Sequence, residues 1–112
     1  MRLVREGSGG GGRVGPGVLT ADPAVLAAIA DRVGTPAYVY NANAIRAQYH
    51  ALEDALAQVP HRIHYSVKAN GNLGILRLLR QLGAGADIVS VGELYRARAA
   101  GFSRRATRLS LQ

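Results

Sequence analysis

The sequence predicts an α/β protein in which helices and short strands alternate through the middle of the chain. Three observations carry this. Apolar residues recur at helical spacing in several segments, short runs of branched and aromatic residues lie between them, and Gly or Pro stands at most junctions. Such alternation predicts parallel strands joined by right-handed crossovers. The 112 residues suit one modest domain. With 48% apolar and 19% charged residues, the composition is neither that of a disordered chain nor that of a membrane protein.

The elements follow in order. Residues 1–19, with Gly7, Gly9 to Gly12, Gly15 and Gly17, read as a flexible glycine-rich leader with too little apolar surface to pack. Asp22 is a good N-cap, Pro23 suits the first helical position and Gly34 suits the end of a helix whose apolar face is Val25, Leu26, Ile29 and Val33. Thr35-Pro36 breaks it, and Ala37 to Tyr40 reads as a short strand. Asn41 or Asn43 can cap the next helix, whose stripe is Ile45, Tyr49, Leu52, Leu56 and Val59 and which Pro60 stops.

Ile63 to Lys68 reads as a strand, with His64, Ser66 and Lys68 on one face and Ile63, Tyr65 and Val67 on the other. Asn70-Gly71-Asn72 supplies a turn and a cap for a leucine-rich helix ending at Gly83. Ala86 to Val91 is a second strand, and Gly92-Glu93 opens a helix running to Ala100 and Gly101.

Composition also excludes classes of function. The absence of cysteine rules out disulfides, thiolate metal sites and a cysteine nucleophile within this sequence. No apolar run follows the basic residues near Met1, and none approaches a membrane span, so a cytoplasmic protein without membrane contact is expected. The net charge of +7 sits mainly at the two ends. The middle is close to balanced, so no nucleic-acid groove is expected.

Lys68 is the single lysine among fourteen basic residues. Arginine serves wherever a positive charge suffices, whereas a primary amine can lose its proton and condense with an aldehyde. The plain alternative is a chance surface lysine. Chemistry in parallel βα folds gathers where strands end and helices begin. Lys68 and Asp87 both stand there on consecutive strands; the lesser alternative for Asp87 is a helix or turn cap. Glu93 lies in a first helical turn, where a carboxylate is favoured by the helix dipole alone. His61 and His64 fall on opposite strand faces and suit packing better than a metal. Gly9 to Gly12 follows no strand, and Gly83 to Ile88 lacks the third glycine of a dinucleotide fingerprint.

Tyr65-Ser66-Val67-Lys68-Ala69-Asn70 resembles the cofactor-lysine motif of the alanine-racemase-like pyridoxal-phosphate barrel enzymes. Gly34 to Tyr40 and Asn72 to Leu79 resemble the family's opening strand and the helix after its lysine. The more specific segment, Gly85 to Ala97, is similar to that of the diaminopimelate decarboxylases, within the group that also holds the ornithine and arginine decarboxylases.

The resemblance covers about Thr20 to Phe102. It implies a partial (β/α)8 TIM barrel of the alanine-racemase-like type, limited to the first two or three βα units. Residues 20–102 would form the N-terminal part of the pyridoxal-phosphate-binding barrel, and residues 103–112 a basic tail unlike the family's next strand.

It further implies decarboxylation of meso-diaminopimelate to lysine, with pyridoxal 5'-phosphate attached at Lys68 as the catalytic residue and with Asp87 and Glu93 near the cofactor. Its partners would be an amino-acid substrate and, for a whole enzyme, a second copy in a homodimer. A complete barrel takes about 250 residues, so the resemblance implies a truncated or frame-shifted N-terminal fragment, inactive alone. Other pyridoxal-phosphate barrel enzymes and a non-catalytic half-barrel binding module are the alternatives.

Overall fold

The computed structural model describes residues 22–110; the expected leader lies outside them. The chain divides into two units, one ending at Ile45 and the other beginning at Arg46.

In the first unit, helix α1 spans Pro23–Val33. Asp22 Oδ1 accepts from the Ala24 amide at 2.8 Å, Pro23 fills the first position, and Gly34 ends the helix at φ 78° with its amide on the Ala30 carbonyl. The expected strand at Ala37 to Tyr40 does not form. Tyr40 alone makes a bridge, and Tyr38 is exposed. Branched and aromatic composition favours extended backbone, but a strand exists only where a ladder of hydrogen bonds holds it. Asn41, not Asn43, is the cap of helix α2 (Ala42–Ala55), accepting from the amides of Asn43 and Ala44.

Helix α2 continues into the second unit but stops at Ala55, short of Pro60, in a series of turns. Of its expected stripe, Tyr49 is buried, while Leu52 and Val59 remain exposed. The Tyr49 hydroxyl donates to Glu53 Oε1 at 3.1 Å, one helical turn away.

The second unit holds a parallel sheet in the order β1 (His64–Ser66), β2 (Gly85–Ile88) and β3 (Thr107–Leu109). Helix α3 (Leu73–Gln81) joins the first two strands and helix α4 (Val91–Ala99) joins the second and third. The strand β3 corrects the reading of the tail. Thr107 and Leu109 alternate with Arg108, and the sheet edge offered by β2 provides the ladder that composition alone does not announce.

Strand β2 is also shorter than expected. It ends at Ile88, and Ser90, capping Glu93 through its hydroxyl, starts α4 at Val91.

Both crossover helices leave by the same device. At Gly83 (φ 102°) the Gly83 amide donates to the Arg80 carbonyl and the Ala84 amide to Leu79. At Gly101 (φ 93°) the corresponding donors are Gly101 to Arg98 and Phe102 to Ala97. These are paired Schellman closures, in which only glycine accepts the positive φ without strain. Each delivers the following apolar residue into the interior, and Ala84 and Phe102 are both buried.

The core consists of Val67, Leu76, Ala86, Ile88, Ala97, Ala100 and Phe102, with Tyr65, Leu73 and Ala106 packed against it. Helices thus cover one face of the sheet. Leu76 is wholly buried, so Leu76→Ala should cost about 2–5 kcal/mol of stability in denaturant titrations.

Burial, followed by the hydrogen bond and negative charge of Glu53, raises the Tyr49 hydroxyl above its ordinary value of 10.0. A raised folded value contributes stability that is complete below the unfolded value and is lost as pH climbs through the folded one. Stability should therefore decline above pH 10, and Tyr49→Phe should remove part of that decline when unfolding is compared at about pH 9 and about pH 11.

Candidate functional site at the strand ends

Alternation along β2 decides which side chains can do chemistry. Ala86 and Ile88 are buried among the helices, so Gly85 and Asp87 face the other side of the sheet. The register pairs His64 with Gly85 and Ser66 with Asp87, and Asp87 with Arg108. Side chains paired in register share a face, so His64, Ser66, Asp87 and Arg108 line the side opposite the core formed with α3 and α4. This is the polar face of the sheet.

Lys68 stands just beyond it, but not on the strand. The ladder stops at Ser66, and Val67 to Ala69 form a single 3-10 turn. The expected alternation of His64, Ser66 and Lys68 therefore ends one step early. Val67 still enters the core, at 1% exposure, from the first position of that turn. Lys68 is left exposed at the carboxyl end of β1, without a hydrogen bond or ion pair among the described residues.

Asp87 is half-buried within β2 and does not cap a turn. Its Oδ1 accepts a short hydrogen bond from the Ser110 hydroxyl, while the Ser110 amide donates to the Ile88 carbonyl at 3.0 Å. Lys68 and Asp87 thus stand at the ends of adjacent parallel strands, the carboxylate held from β3's side and the amine free.

Glu93 takes the helix-capping part. Its Oε2 accepts from the Val89 amide at 2.8 Å, and Ser90 Oγ accepts from the Glu93 amide at 3.2 Å. This is close to the reciprocal arrangement of a capping box. It fixes the turn between β2 and α4, directly after Asp87.

One contributor, Ser110, escaped the sequence reading, and His64 packs as expected. Ser110 lay in the segment read as tail, although Thr107-Arg108-Leu109 already carried a strand's alternation. His64 packs across Gly85, where an added Cβ would stand 2.5 Å from Nδ1 and 2.9 Å from the Ala106 carbonyl. His64 Nδ1 is buried without a partner. His61 contacts the Val59 carbonyl and Glu53, as a packed or surface histidine would.

An unclosed piece of parallel α/β barrel, with its polar groups at the carboxyl ends of the strands, is the class that this fold and site define. The model for the pyridoxal-binding domain of pyridoxal-dependent decarboxylases matches residues 42–109, and the chain belongs to that family.

Diaminopimelate decarboxylases from Pseudomonas fluorescens and Pseudomonas aeruginosa are 55% and 57% identical to it over 87 and 83 residues. Those alignments cover 78% and 74% of this chain but only 21% and 20% of the relatives. A solved variant of diaminopimelate decarboxylase from Helicobacter pylori, complexed with L-lysine, superposes with a TM-score of 0.69 at 34% identity, over 75% of this chain and 21% of that one. The chain therefore spans about a fifth of the length of these relatives.

Two tests bear on this geometry. Gly85→Ala should destabilise the chain by about 1–3 kcal/mol in denaturant titrations, because the backbone carbonyl of Ala106 cannot turn away as a side chain can. Ser90→Ala should cost about 1 kcal/mol through loss of the α4 cap.

Proposed function

We propose that this chain is the cofactor-lysine segment of a diaminopimelate decarboxylase, with Lys68 as the attachment point for pyridoxal 5'-phosphate. The single observation that carries the reading is the placement of the only lysine, free and exposed, at the carboxyl end of β1 beside the strand that bears Asp87. The names of the relatives supply the substrate.

The residues present suit such a group. Lys68 Nζ is unencumbered and can approach an aldehyde, which arginine could not attack. Asp87 offers an anchored carboxylate on the adjacent strand, with one oxygen already held by Ser110. Glu93 acts behind them, fixing the backbone at Val89. When bound, the cofactor supplies an electron sink for the pair released as a carboxylate departs from an amino acid.

On this reading Lys68 Nζ also returns a proton to the product carbon. On this reading the whole enzyme turns meso-diaminopimelate into lysine in the cytoplasm, as a homodimer and without nucleic acid. Its remaining binding groups come from parts of the relatives' length that this chain does not match.

Incubation with pyridoxal 5'-phosphate, borohydride reduction and peptide mass mapping tests the assignment. The label is expected on Lys68, and Lys68→Ala should lose it. Labelling confined to the N-terminal amine would overturn the reading.

A further inference from the structure

The segment that carries Lys68 has little regular structure of its own. Between the end of β1 and the start of α3 the chain runs through one 3-10 turn, an extended Asn70 and the glycine Gly71. Short 3-10 turns have poor hydrogen-bond geometry, so what holds this loop must come from outside it.

Tyr65 donates from its hydroxyl to the Asn70 carbonyl at 3.1 Å, and Asn70 Oδ1 accepts from the Asn72 amide at 3.0 Å. Asn72 in turn caps α3 through the amides of Gly74 and Ile75. The remaining hold comes from 25 residues away. Arg96, in α4, donates from one guanidinium nitrogen to the Gly71 carbonyl at 3.2 Å. Its stem also fills the space where a side chain at Gly71 would begin, with the Arg96 Cδ 2.9 Å from an ideal Cβ. Gly71 is thus matched to Arg96 twice, by its carbonyl and by its missing side chain.

Arg96 lies three residues beyond Glu93, on the same side of α4. Glu93 holds the backbone that follows Asp87, and Arg96 holds the backbone that follows Lys68. We propose that Arg96 is a positioning residue: through Gly71 it fixes the Lys68 loop, so that one helix sets the spacing between the amine and the carboxylate. Its value to catalysis rests on the cofactor role proposed above, whereas the clamp itself can be tested without any cofactor.

Arg96 is exposed, so its replacement leaves the core intact. Lys68, as the sole lysine, gives a single Cε signal in the lysine-labelled full chain. Amide exchange and that signal would be followed in Arg96→Met, Arg96→Lys and Gly71→Ala. Arg96→Met should raise exchange at the Asn72 amide about fivefold, the size of one lost hydrogen bond, and should move the Lys68 Cε signal. The Ala100 amide, bonded to the Arg96 carbonyl, should be unchanged.

Arg96→Lys, which keeps a donor, should restore most of the protection. Gly71→Ala should loosen the loop with the arginine still present. The inference is overturned if Arg96→Met leaves Asn72 exchange and the Lys68 signal as they were, or if Ala100 loosens equally, which marks a general loss of structure. Failure of Lys68 to take pyridoxal 5'-phosphate would sink the cofactor assignment alone and leave this comparison standing.

Discussion

The burial of Ala86 and Ile88 beneath α3 and α4 is the constraint on which the rest depends. Strand side chains alternate, so placing these two against Leu76 and Ala97 commits Gly85 and Asp87 to the opposite face. A slip of one residue would bury Asp87 and expose Ile88, at the cost of an unpaired carboxylate in an apolar interior. Register with the neighbouring strands then brings Ser66 and Arg108 to the same side. The apolar core thus decides where the polar groups stand.

Small residues make that arrangement possible. Ala86 and Ala97 are both fully buried, and their size lets a helix approach the sheet closely. The Schellman closures at Gly83 and Gly101 then set the exit from each helix, so that Ala84 and Phe102 enter the interior as the next strand begins. Packing and chain reversal are therefore coupled, because each glycine ends a helix and aims the residue that follows it.

Helix α4 has a second part beyond covering the sheet. Its first turn ties down the backbone after Asp87, and Arg96 reaches the backbone after Lys68. Its exposed Val91, Leu94 and Tyr95 lie outside these contacts. Helices α3 and α4 pack on the apolar face of the sheet, and Lys68 is exposed at the rim. Among the described residues three strands form a sheet with two edges, not a closed barrel.

Much of this was legible in the residues. Asp22, Asn41 and Asn72 announce their helices because a cap is a local hydrogen bond between neighbours. Gly34, Gly83 and Gly101 announce helix ends because positive φ is a property of one residue. The apolar periods of α1 and α3, and the candidacy of Lys68 and Asp87 at strand ends, needed only spacing and chemistry.

What only the tertiary structure decided involves partners distant in sequence. Whether Ala37 to Tyr40 becomes a strand, and whether Thr107 to Leu109 does, depends on a neighbouring edge and not on composition. The turn that lifts Lys68 off β1 begins where the ladder between β1 and β2 stops, at Ser66. The holds of Ser110 on Asp87 and of Arg96 on Gly71 span 23 and 25 residues. The sequence by itself determined caps, turns and which side chains are candidates for chemistry, since these are set within a few residues. The fold decided which strands pair and how the amine and carboxylate are held, since those are contacts that only chain closure creates.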